Sequence, residues 1–139
     1  MATVRRALLT RAPLERVWDA VRDIGALHTR LVPGFVTNTV LEGDRARLVT
    51  FANGMTVREP IVTLDEVSKR LVWSSEGGIT THYNASVTLA ATADGTEVVW
   101  VADFLPDDAA MRIAGAMDAG IAAMQRALDA LGPEEPALF

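Results

Sequence analysis

The chain has 139 residues, half of them hydrophobic, with a net charge of −5, no cysteine and only two histidines. That length suffices to bury one core, and no apolar run is long enough for a membrane helix. Without cysteine there is no disulfide, thiol nucleophile or thiolate metal site, and two histidines do not make a histidine-rich one. No basic run is longer than Arg5-Arg6. Nucleic acid and anionic membrane surfaces, which attract clustered positive charge, are therefore not expected partners. The N-terminal residues Met1 to Arg6 lack the apolar core of a signal peptide, so a cytoplasmic protein without membrane insertion is expected.

Thr3–Thr10 reads as a short strand. Ala12-Pro13 opens a helix, with proline in the first turn where its missing amide costs nothing. Leu14, Val17, Trp18 and Val21 form the buried stripe of that helix, with Trp18 a core anchor. Asp23-Ile24-Gly25 breaks it, and Ala26–Val32 makes a second short helix ended by Pro33-Gly34.

From Phe35 the texture changes to strands separated by turns. Phe35–Leu41, Arg45–Phe51, Met55–Leu64, Arg70–Ser75, Thr80–Ala90 and Glu97–Leu105 alternate with turn signals. Asn53-Gly54 is the strongest hairpin signal and reads as a two-residue loop, since both positions tolerate positive φ. Asp94-Gly95 reads the same way. Pro60 falls inside a strand, where it loses a ladder bond, so a bulge or local break is expected there.

The last element is a long helix over Pro106–Leu131. Ala114, Met117, Ile121, Met124, Leu128 and Leu131 recur at steps of three and four, one face of a helix roughly 37 Å long at about 1.5 Å per residue. Pro106 with Asp107 and Asp108 suits a helix start, and Gly132-Pro133 a stop. Met117 and Met124, with Gly115 and Gly120 alongside, suit an adaptable cavity wall or an irregular core. The whole is an α+β arrangement: a seven-stranded antiparallel sheet wrapped around one long helix, with two short helices after the first strand.

This order of elements resembles the START-like, helix-grip (SRPBCC) superfamily, and within it the polyketide cyclase/dehydrase-like family. The residues that carry the likeness are Ala12 to Trp18 with Asp23 and Gly25, Val57-Arg58-Glu59 with Leu64-Asp65, and Arg70 to Trp73. His82 to Ser86 and Trp100 to Pro106 complete it, so the likeness spans about Val4 to Leu131. It implies a START-like ligand-binding domain over residues 1–132, with 133–139 a frayed tail. It also implies a cavity between sheet and C-terminal helix for a hydrophobic small molecule.

No nucleotide-loop, serine-hydrolase or zinc-protease spacing is present, so polar strand residues are the candidates for chemistry. His82, Asn84 and Ser86 share one face of their strand, and Tyr83, Ala85 and Val87 the other. With Asp94-Gly95 as a two-residue turn, Ser86 opposes Asp103 and Leu89 opposes Trp100. His82, Asn84 and Asp103 then lie outside, whereas a turn one residue longer would bring them inward. Inward, His82 could move protons at a carbonyl, with Glu59 or Asp103 as its carboxylate. Arg58 and Glu59 point to opposite faces; a buried Glu59 would need a partner, whereas a buried Arg58 could bind a carboxylate or enolate. Trp73 and Trp100 offer stacking surfaces, or ordinary core tryptophans.

The expected function is therefore binding of a polyketide- or lipid-like molecule by Trp73, Tyr83, Asn84, Trp100, Met117, Ile121 and Met124. Two alternatives stand beside it. One is an aromatic polyketide cyclase or dehydratase using His82 with Glu59 or Asp103. The other is a protein-interaction module using the outer sheet face. Neither a metal nor an organic cofactor is expected, and the chain would be a monomer or homodimer.

Overall fold

A computed structural model describes residues 1–133; the tail expected from Pro133 lies, beyond that residue, outside them. Seven strands run β1 (Ala2–Thr10), β2 (Val36–Glu42), β3 (Ala46–Phe51), β4 (Thr56–Asp65), β5 (Arg70–Ser74), β6 (His82–Ala91) and β7 (Thr96–Leu105). They form one antiparallel sheet in the order β1-β7-β6-β5-β4-β3-β2, so the first strand pairs with the last and the rest meander. The helices are α1 (Leu14–Arg22) and α2 (Ala110–Asp129).

Pro13 stands just before α1, and its carbonyl accepts the first two helical amides, from Arg16 and Val17. Trp18 is buried and donates its indole N–H to Glu66 at 2.5 Å, tying α1 to the β4–β5 turn. The second short helix is instead a 3-10 turn, Ile24–Ala26, followed by a π-helical turn, Leu27–Leu31, which the Val32 amide closes onto the Leu27 carbonyl.

The α2 helix begins later than its sequence suggests. Asp107 and Asp108 form a 3-10 turn after Pro106 and make no side-chain cap; Asp107 pairs with the chain's amino terminus at 3.2 Å. Met117, Gly120, Ala123, Met124 and Leu128 are its buried residues, and Ile121 is only half-buried. The α2 helix is fastened to β1: Gln125 donates to the Leu9 carbonyl and Thr10 to Asp129, while Arg6 reaches Asp118. Gly120 permits the close packing, because a Cβ there would meet the Trp100 ring at 2.8 Å. Gly115, by contrast, faces open space and belongs to no cavity wall.

Both hairpin readings needed correction. The β3–β4 loop has three residues, Ala52–Gly54, with Gly54 at φ 88° and the Phe51 amide bonded to the Met55 carbonyl. That moves the register by one residue and sets Arg47 opposite Glu59. Between β6 and β7 the two central turn residues are Ala93 and Asp94, closed by the Thr92 amide on the Gly95 carbonyl. This register differs from the expected one by two, an even number, so the faces are unchanged: Asn84 opposes Asp103 and Val87 opposes Trp100. Pro60 lies beside an irregularity as expected, the register of β4 against β5 shifting between Ile61 and Thr63.

Candidate ligand-binding pocket

Alternation along each strand sends one row of side chains inward. From β5, β6 and β7 these include Leu71, Trp73, Tyr83, Ala85, Val87, Trp100, Ala102 and Phe104. Trp73, Ala85 and Ala102 lie in successive register positions, so one large ring is followed by two methyl groups. Between the sheet, the Leu27–Val32 segment and α2 lies a pocket of about 330 Å³. Ile113, Ala116, Met117 and Met124 form its helix wall. The exposed residues Ala52, Asn53 and Gly77–Ile79 border it where the β3–β4 and β5–β6 loops meet.

The lining is apolar apart from a few groups on one wall. Arg47 and Glu59, 2% and 6% exposed, form a buried ion pair with Nε donating to Oε1 at 2.9 Å. Arg47 also donates to the Ile24 carbonyl at 3.3 Å, and its guanidinium lies over the Trp73 ring, 5.5 Å from the centroid. Burial pushes the Glu59 carboxyl above its ordinary range, and the Arg47 charge only partly opposes this. Burial also raises the Tyr83 phenol, with the nearby Glu59 charge adding to the shift. Trp100 Nε1 is buried, and its interaction with the Tyr83 phenol partly opposes that upward shift.

Six of the sequence candidates line this pocket: Glu59, Trp73, Tyr83, Trp100, Met117 and Met124. Four do not: Asn84, Ile121, His82 and Asp103. His82, Asn84 and Asp103 stand on the outer face, where His82 Nε2 and Asn84 Oδ1 are 2.8 Å apart. There Asn84 also donates to Asp103 at 3.4 Å, and the Thr3 hydroxyl does so at 2.6 Å. An inward-facing His82 is thus not what the register produces. Ile121 is half-buried and packs against the core outside the pocket, because the buried stripe of α2 is centred nearer Gly120 and Ala123.

Arg47 was missed. Its signal was present, since Arg47, Val49 and Phe51 alternate onto one face, but a two-residue Asn53-Gly54 loop places Arg47 opposite Pro60 and hides the pairing. Arg58 faces outward to Glu42 and Glu76. Among the described residues no cluster of three or more histidines, cysteines or carboxylates could hold a metal ion, and no helix is long and apolar enough to cross a membrane.

A curved seven-stranded antiparallel sheet gripping a long C-terminal helix defines the START-like, helix-grip class. Solved structures of that class superpose on it. A START superfamily protein from Mycobacterium smegmatis matches with a TM-score of 0.74 at 12% identity, over 93% of this chain and 98% of the other. An uncharacterised protein from Bacillus thuringiensis matches with a TM-score of 0.81 at 20% identity, over 91% and 98%. The chain belongs to the family described as polyketide cyclase / dehydrase and lipid transport, which it matches over residues 1–132. A separate stretch of likeness, 36% identical over 80 residues, is to bovine transducin beta-like protein 3; it spans 58% of this chain but 9% of that protein.

Proposed function

We propose that this chain is a binding protein for a hydrophobic or aromatic small molecule, polyketide- or lipid-like, held without a covalent bond between sheet and α2. The observation that carries the reading is the apolar pocket of about 330 Å³ that opens between two loops. Ligand pockets span about 300–1,000 Å³, so this volume favours a compact ring system over a sterol or long acyl chain. Trp73 and Trp100 supply flat contact, while Met117 and Met124 adapt to its outline. If turnover accompanies binding, Glu59 is the one predicted acid–base residue with access to the ligand.

Native mass spectrometry of freshly purified protein, followed by a thermal-shift screen of aromatic polyketides, fatty acids and sterols, tests this. The expected result is a co-purified mass or a strong shift with the aromatic class. Met117→Trp should fill the pocket and abolish that shift with little loss of stability. No adduct and no shift, with Met117→Trp destabilising the fold by about 1–3 kcal/mol, would mean a filled core and overturn the reading.

A further inference from the structure

Arg47 and Glu59 face each other across β3 and β4, Arg47 four residues before Phe51 and Glu59 four residues after Met55. Trp73, under the Arg47 guanidinium, likewise stands four residues before Gly77. At about 3.3 Å per residue, the ion pair lies roughly 13 Å along the strands from the loops that border the pocket. It does not use all of its own bonding capacity. Arg47 gives Nε to Glu59 Oε1 and Nη1 to the Ile24 carbonyl, while Arg47 Nη2 and Glu59 Oε2 have no hydrogen-bond partner among the described residues. Neither of these two atoms is sealed off, as His28 Nδ1 and Thr39 Oγ1 are. The little surface that both side chains keep belongs to residues that line the pocket. Each open atom shares a carbon with an atom of the 2.9 Å contact, so the two stand within a few ångströms of each other.

A guanidinium N–H only donates, and an ionised carboxylate oxygen only accepts. Together they complement a head group that carries an acceptor beside a donor. Charge narrows the choice further, since the one cation on this wall is already balanced by the one carboxylate. A ligand carboxylate would set a second negative charge next to Glu59, and an ammonium a second positive one next to Arg47, in an enclosed apolar space. A neutral group incurs neither cost. We infer that the ligand enters polar end first and sets a neutral head group, a carbonyl with an adjacent N–H or O–H, between Arg47 Nη2 and Glu59 Oε2. Its apolar body then runs back past Trp73 toward the loops, and Arg47 and Glu59 are the specificity-determining residues of the pocket. The inference rests on the binding function proposed above.

Four flat probes that differ in one substituent test it: 2-isopropylnaphthalene, 2-acetylnaphthalene, 2-naphthamide and 2-naphthoate, titrated against the whole chain at neutral pH. The amide should bind most tightly of the four, and about tenfold more tightly than the ketone, which has the acceptor without the donor. Glu59→Gln keeps the side-chain shape and puts a donor where Oε2 stood, so it should bring the amide-to-ketone ratio close to one. Arg47→Met with Glu59→Leu removes both groups and should make the hydrocarbon the tightest ligand. Should either variant fail to fold, the ranking on the unsubstituted chain still decides. An amide no tighter than the ketone, or tightest binding of the carboxylate or the hydrocarbon, overturns the inference and leaves the binding function standing. An amide preference unchanged in either variant means the head group sits elsewhere, and overturns it too. Binding of none of the four removes both.

Discussion

On the outer face of the sheet, Thr3, Asp103, Asn84 and His82 form a hydrogen-bonded row across three adjacent strands. On the inner face, Arg47, Glu59, Tyr83 and Trp100 gather on one wall of the pocket. Both groups mix charged, amide or ring donors with a carboxylate. The difference is water. The outer row is half-buried to exposed, so each lost bond can be replaced by solvent, whereas the inner group must find its partners within the protein or in a ligand. Polar chemistry in this fold therefore has consequences on one face and is nearly free on the other.

The strongest way to break that contrast is Arg47→Met. It leaves the Glu59 carboxylate alone in an apolar space and should cost about 3–5 kcal/mol in denaturant unfolding near neutral pH. Arg47→Met combined with Glu59→Leu should recover most of the loss, because the pair is then removed together. A comparable loss in the double variant would mean the pair stabilises by more than mutual compensation.

The pH dependence sharpens the same point. Glu59 titrates above its ordinary value of 4.5 in the folded chain, chiefly through burial. Below 4.5 its contribution to stability is fully present. As pH rises, the unfolded chain releases this proton first, so the contribution is lost as pH climbs through the folded value. Glu66 behaves oppositely, since its bonds from Trp18 and Arg22 lower its folded value. Its contribution is present above 4.5 and lost as pH falls through that lowered value. Unfolding free energies followed against pH, wild type minus the double variant and wild type minus Glu66→Gln, should slope with opposite signs.

Two glycines of α2 extend the comparison to the helix. Gly120→Ala should destabilise, the added methyl meeting the Trp100 and Phe35 rings at 2.8 and 3.1 Å. Overpacking costs about 1–3 kcal/mol, against a helix-propensity gain of at most about 1 kcal/mol. Gly115→Ala has open space and should stabilise by about 0.5–1 kcal/mol, read as a rise in melting temperature. The smallest effect is expected from His82→Ala on the outer face: within about 0.5 kcal/mol of wild type and no change in ligand affinity by titration. A lost ligand in that variant would mean the outer row communicates with the pocket.

Much of this molecule was legible in its residues. All seven strands and both principal helices lie within a few positions of their expected places, since alternation of two and periods near four are local properties of a chain. The pocket-facing set Trp73, Tyr83, Trp100, Met117 and Met124 follows from the same periodicities. Less legible was where each hairpin turns. Asn53-Gly54 signals a turn clearly, yet two- and three-residue loops share that signal and differ by one step of register. The one step decides that Arg47 meets Glu59. At Ala93-Asp94 the turn also moved, but by an even shift, so His82 and Asp103 kept the faces that alternation assigns.

The sequence by itself thus determined the kind and order of elements and which residues share a face, because side-chain direction along a strand or helix is set by backbone geometry alone. Only the tertiary structure decided which residues oppose each other across strands and that Gly120 rather than Gly115 lies against Trp100. Those depend on contacts between segments distant in the chain, where a single step of register or a few ångströms of packing changes the neighbour.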